Sequence, residues 1–89
     1  MKKYVYRGIN RSKGEVYHGV SEDPKARRDG SHCTGGTKAL KDWNCDNDDI
    51  TWRVVSQHYK QSIASKEAHK LEKTYKHRNG LKNIKTRGI

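Results

Sequence analysis

The hydrophobic positions form strand-like runs through the first two thirds of the chain and a helical stripe in the last third. Residues 4–7 and 15–20 have the β-branched and aromatic content of strands, and residues 8–14 supply a loose turn between them. This predicts a hairpin. Asp23 followed by Pro24 marks a helix start, because Asp caps free amides and proline suits the first helical turn. That helix is predicted to be short, ending near Gly30. Residues 31–36 read as a polar, glycine-containing loop, after which Thr37 is placed to cap a second short helix through Trp43. Residues 44–49 form an acidic surface loop, and residues 50–59 have the composition of a third strand. From Ser62 the period changes: Ala64, Ala68, Leu71 and Tyr75 recur at helical spacing, one apolar stripe able to pack on a sheet, with Gly80 as its stop.

The order strand, strand, helix, helix, strand, helix predicts an α+β fold, a small three-stranded antiparallel sheet flanked by helices. One domain spanning residues 1–89 is expected. The basic tail at 81–89 is expected to be flexible except where Leu81 and Ile84 find packing. Hydrophobic residues make up only 30% of the chain, so the core must be small and must draw on Trp43, Trp52 and the tyrosines.

Charge adds a partner class. Twenty Lys and Arg against ten Asp and Glu leave a net charge of +10, a field that attracts polyanions, of which nucleic acid is the commonest. The bias is uneven: residues 60–89 hold nine Lys or Arg but only Glu67 and Glu72, whereas Asp42, Asp46, Asp48 and Asp49 gather in one loop. His32, Cys33, Cys45 and His58 lack the paired spacing of a zinc site, so the cysteines are expected to be buried or free thiols in a reducing compartment. With no apolar run long enough for a signal peptide or a span, a soluble, cytoplasmic protein is expected, with no membrane partner.

Three of the five tyrosines lie in the hairpin, and their setting resembles the GIY-YIG nuclease family. Tyr4-Val5-Tyr6 and Tyr17-His18-Gly19 stand where the family's two tripeptides would, at its usual separation. Arg27 follows Gly19 by eight residues, at the position of the family's arginine; Ala68-His69-Lys70-Leu71-Glu72 matches its Ala-x-x-x-Glu element; and Asn83 resembles an asparagine of its last motif. Tyr4 in place of glycine and His18 in place of an apolar residue depart from the pattern. His18 falls on the strand face opposite Tyr17 and Gly19, where it needs a partner if that face is buried and is placed to meet substrate if it is open.

The resemblance implies a metal-dependent endonuclease hydrolysing DNA, double-stranded DNA first and RNA second. Tyr17 would be the base, with Tyr6 close to the attacking water. A free tyrosine has a pKa of about 10, so a base at neutral pH needs nearby cations, which Arg7, Arg27 and the metal would supply. Arg27 would grip phosphate oxygens through its planar, permanently charged fork. Glu72 would hold Mg²⁺, or another divalent cation such as Mn²⁺, almost alone, because Mg²⁺ keeps several waters. Helix geometry leaves Glu67 as an alternative, and the family motif selects Glu72. Arg7, His32 and Lys38 are expected to contact the nucleic-acid backbone, with His18 and Asn83 in supporting roles. Tyr6, Tyr17, Arg27 and Glu72 are expected to converge on one concave surface. The principal rival is a binding module of the same fold that holds DNA or RNA without cutting it; an interaction protein masking an acidic partner would need the charge but not the site.

Overall fold

The computed structural model describes residues 2–33 and 40–85. Strands β1 (Lys3–Asn10) and β2 (Glu15–Ser21) form the expected hairpin, antiparallel and in continuous register from Tyr4 opposite Ser21 to Asn10 opposite Glu15. The turn is shorter than the composition suggested, closed by Gly14 at φ +68°, which only glycine adopts without strain. Asn10, fully buried, fixes it: its Oδ1 accepts from Lys13 N at 3.0 Å and its Nδ2 donates to Asp48 at 2.9 Å. One carboxylate of the acidic loop therefore clamps the hairpin instead of merely facing solvent.

Asp23 caps α1 (Pro24–Arg27), accepting from Ala26 N at 3.2 Å. The helix then widens into a single π-helical turn, Arg28–His32. The second short helix predicted from Thr37 lies partly outside the described residues, and its described end is a turn closed by Trp43 N donating to Leu40 O at 3.0 Å. Strand β3 (Ile50–His58) pairs antiparallel with β1, with a register shift between Val5 and Tyr6. The long helix α2 (Gln61–Thr74) ends at Tyr75, whose backbone is extended, five residues before Gly80.

The sheet corrects the expected architecture. A fourth strand, β4 (Lys82–Ile84), docks beside β2, and the order is β3-β1-β2-β4. This pairing is parallel, with Tyr17 opposite Ile84, so the sheet is mixed. Part of the basic tail is thereby built into the fold.

Strand alternation divides the core in two. Val5, Arg7 and Ile9 of β1 share a face with Val20, His18 and Val16 of β2; there Ala64 and Ala68 of α2 pack on Val5, flanked by Val20, Val55 and Leu71. Two alanines let the helix come close to the sheet. On the other face, Tyr17, Leu40 and Trp43 form a second cluster with Ile50, Trp52 and Ile84 around it. Among the described residues no helix is long and apolar enough to cross a membrane.

The cysteines depart from expectation. Cys33 and Cys45 form a disulfide, with Cα atoms 5.4 Å apart, and no described cysteine is free. Sequence spacing alone does not reveal this pairing. The bridge removes the basis on which a reducing compartment was assumed.

Candidate functional site

Tyr6 and Tyr17 lie side by side on the face away from α2, both almost fully buried, their ring centroids 6.2 Å apart. Their strands place them there: Tyr6 is opposite Gly19 and Gly8 opposite Tyr17, so each tyrosine has a glycine across the ladder. The glycines make the room. A Cβ at position 19 would overlap the Tyr6 hydroxyl, and a Cβ at position 8 would lie 2.6 Å from the Trp52 ring. Gly19→Ala is accordingly expected to push Tyr6 aside and to cost about 1–3 kcal/mol through overpacking. A urea midpoint unchanged from wild type would contradict this close fit.

His32 completes the group from the end of the π-helical turn. It is 1% exposed, its Nε2 is hydrogen-bonded to the Tyr6 hydroxyl, its ring stacks on Trp52 at 5.4 Å, and it meets Tyr17 edge-on at 5.1 Å. Burial, and secondarily Arg27, lower its pKa to about 4. Burial raises the pKa of Tyr6, as do the charge and hydrogen bonding of Tyr17, while Arg27 opposes them more weakly. Near neutral pH the phenol therefore keeps its proton and the imidazole is neutral, and the tautomer of His32 sets which of the two donates in the hydrogen bond between them. His32 was expected at the surface as a backbone contact; it is instead an interior partner of Tyr6.

Arg27 joins this group by its electrostatic and hydrogen-bonding influence on Tyr6. Beside it, a cleft of about 180 Å³ opens over Tyr6 between α1 and β3, lined by Pro24, Lys25, Arg28, Trp52, Arg53 and Val54. Arg28 is paired with Asp29 at 2.9 Å. The arrangement is a tyrosine pair and a neutral histidine beneath a partly cationic opening, suited to holding an anion beside a proton relay.

The remaining expected residues lie elsewhere. Arg7 follows Tyr6 by one residue and so projects to the α2 face, where its guanidinium lies 3.9 Å from the Tyr75 ring centroid and its Nε donates to His18 Nε2 at 2.9 Å. It is a packing cation there, not a neighbour of the tyrosine pair. His18 is fully buried on that face and has the partner its position demanded; burial, then Arg7, lower its pKa to about 4, opposed by Glu72. Glu72 belongs to α2, its side chain 8% exposed and its carboxylate 3.3 Å from His69 Nδ1. Asn83, on β4, donates from Nδ2 to Tyr75 O at 2.7 Å. Lys38 is outside the described residues.

The expected convergence holds for the tyrosines and Arg27 and fails for Glu72, the placement that counts against the enzyme reading. Tyr6, Tyr17 and Arg27 come together and His32 joins them, while α2 carries Glu72 on the opposite face of the sheet. Among the described residues no group of three or more His, Cys, Asp or Glu is arranged to hold a metal ion. Sequence reasoning missed Trp52 as a wall of the site, although its place on a strand beside the hairpin was a usable signal.

Compared with family models, curated proteins and solved structures, the chain matches none. The likeness to GIY-YIG nucleases rests on its own residues alone.

Proposed function

We propose that the chain is a small endonuclease that hydrolyses phosphodiester bonds of DNA at the group formed by Tyr6, Tyr17, Arg27 and His32. The observation that carries this reading is the hydrogen bond between a buried Tyr6 and a neutral His32, beside Tyr17 and Arg27. A buried polar network can serve simply to specify one core packing, and here it also supplies the proton path that a hydrolytic site needs beside an anion clamp.

Arg27 holds the non-bridging phosphate oxygens. Tyr17 takes the proton of the attacking water as its own proton moves to Tyr6 and that of Tyr6 moves to His32 Nε2; the water oxygen bonds to phosphorus, the P–O bond to the sugar breaks, and the departing sugar oxygen takes a proton from bulk water. His32, held near 4, is a poor acceptor in the free protein. Its basicity rises when a phosphate enters beside Arg27, because the added negative charge favours the imidazolium. Proton transfer is thereby tied to occupancy of the site.

The resemblance assigns a Mg²⁺ or Mn²⁺ ion to Glu72. A single, largely covered carboxylate shared with His69 fits only an ion that retains most of its water, as Mg²⁺ does. When bound, such an ion would acidify a coordinated water; it would offset the charge of a phosphate beside Arg27 only if that phosphate also reached the α2 face, from which the sheet separates the tyrosines. The position of α2 favours a second reading, a basic module that holds DNA or RNA by its phosphates without cutting, since Glu72, paired with His69 on the face away from the tyrosines, then needs no catalytic role.

Nicking of supercoiled plasmid with Mg²⁺, with and without chelator, separates the two readings. Chelator-sensitive nicking that Tyr17→Phe or Arg27→Ala removes supports the enzyme; salt-sensitive binding without nicking supports the module. Either way, affinity for unrelated duplexes should be similar and should fall by roughly 10³-fold or more between 50 and 200 mM salt if six or more phosphates are contacted. A salt-insensitive preference for one short sequence would contradict both.

A further inference from the structure

The disulfide lies next to the proposed proton acceptor. Cys33 directly follows His32, and Cys45 closes the segment that brings Leu40 and Trp43 against Tyr17. The bridge thus joins two walls of one site. The π-helical turn carrying His32 is fastened at its end by Cys33 N donating to Arg28 O at 2.8 Å and by the cross-link itself. On the other side, Trp43 packs on Trp52 at 5.8 Å and donates from Nε1 to Glu15 at 2.9 Å. The bridge is also within reach of solvent: both cysteines line a depression of about 260 Å³ shared with Arg28 and Trp52, and another of about 420 Å³ shared with Trp43 and Asn44.

We infer that the Cys33–Cys45 bridge positions His32 against Tyr6, and that its reduction by a dithiol releases His32 and switches the tyrosine site off while the sheet stays folded. In the reaction a dithiol thiolate attacks one bridge sulfur, forming a mixed disulfide and expelling the other cysteine as a thiolate, which takes a proton. The second thiol of the reductant then closes on the mixed disulfide and releases the remaining cysteine. Two electrons pass to the protein, and the reductant leaves as its own disulfide.

The sheet has the means to survive this step. The pairing of β1 with β2 and β3, and the packing of α2 on Val5, involve neither cysteine nor, among the described residues, the segment between them. The two depressions, in contrast, share the bridge as a common wall.

The positional part of this inference is independent of the nuclease reading, whereas loss of nicking rests on it, so the test carries two readouts. The whole chain is examined oxidised and after treatment with dithiothreitol, with thiol count and mass confirming reduction. By NMR, the His32 ring should titrate near 4 when oxidised and within about one unit of 6.5 when reduced, while backbone amides of the β1–β2 pair stay protected from exchange. Nicking should fall at least tenfold on reduction and return on reoxidation. The double variant Cys33→Ser with Cys45→Ser should behave as the reduced protein and ignore dithiothreitol; if it fails to fold, the reduced wild type supplies the same readings. An unchanged His32 titration after proven reduction overturns the inference, as does loss of amide protection throughout the sheet, which would make the bridge a global staple. A shifted titration with no nicking in either state leaves the inference standing and removes the nuclease reading.

Discussion

Glu72→Gln should reduce Mg²⁺-dependent nicking by roughly 100-fold or more, the scale on which removing an electrostatic contribution to a transition state is felt. Glutamine is the informative replacement because Glu72 is covered and meets His69. It keeps the volume and an acceptor for that contact while removing the charge a cation needs. DNA affinity should stay the same or rise, since a negative charge has left a protein that binds a polyanion. Glu67→Gln, with the same loss of charge on the same helix, should leave nicking within a few-fold of wild type. Wild-type cutting by the Glu72 variant, with contaminating nuclease excluded, would withdraw the metal from this residue and leave the tyrosine face to account for any activity.

Acid should destabilise this fold well above the range in which carboxylates titrate. His18 and His32 are buried on opposite faces of the sheet, and each has its pKa lowered to about 4. An unfolded chain takes up these protons near 6.5, so between 6.5 and 4 the unfolded state binds more protons than the native one. The stabilising contribution is thus fully present above 6.5 and is lost as pH falls toward 4. From pH 7 to pH 5 the loss is on the order of 2 kcal/mol for each histidine, a large share of the stability of a small domain. Urea midpoints at the two pH values measure the sum, and His18→Gln or His32→Gln should flatten the dependence by about half. A midpoint constant from pH 7 to 5 would show that neither ring is held neutral.

The hairpin was legible because aromatic and β-branched residues are concentrated on either side of a turn, and α2 because four apolar residues recur at one spacing. Strand alternation also made the placement of His18 readable, and it should have moved Arg7 to the same face, since Arg7 directly follows Tyr6. Other features had no local signature. Lys82–Ile84 is a strand only because β2 offers it an open edge, and its polar composition gives no sign of that. The interior position of His32 comes from the π-helical turn and the disulfide, neither of which its polar neighbours announce. In the site, the grouping of Tyr6, Tyr17 and Arg27 followed from the family pattern. The position of Glu72 depended on which face α2 covers, a tertiary choice that an apolar stripe leaves undecided.

The parallel β4 also bears on how the molecule assembles and how its site persists in time. The hairpin joins neighbours in the chain, whereas the pairing of Glu15 with Lys82 must close almost the whole described chain into a loop for three residues of ladder. Such a contact repays its closure entropy late, so β4 is expected to dock last in folding and to detach first in transient opening. Ile84 leaves with it, and Tyr17 loses one of its flanking residues while Tyr6 and His32 keep theirs. The lifetime of the complete site is therefore set by the residence time of its shortest strand, and the marginal edge of the sheet becomes the clock for the chemistry at its centre.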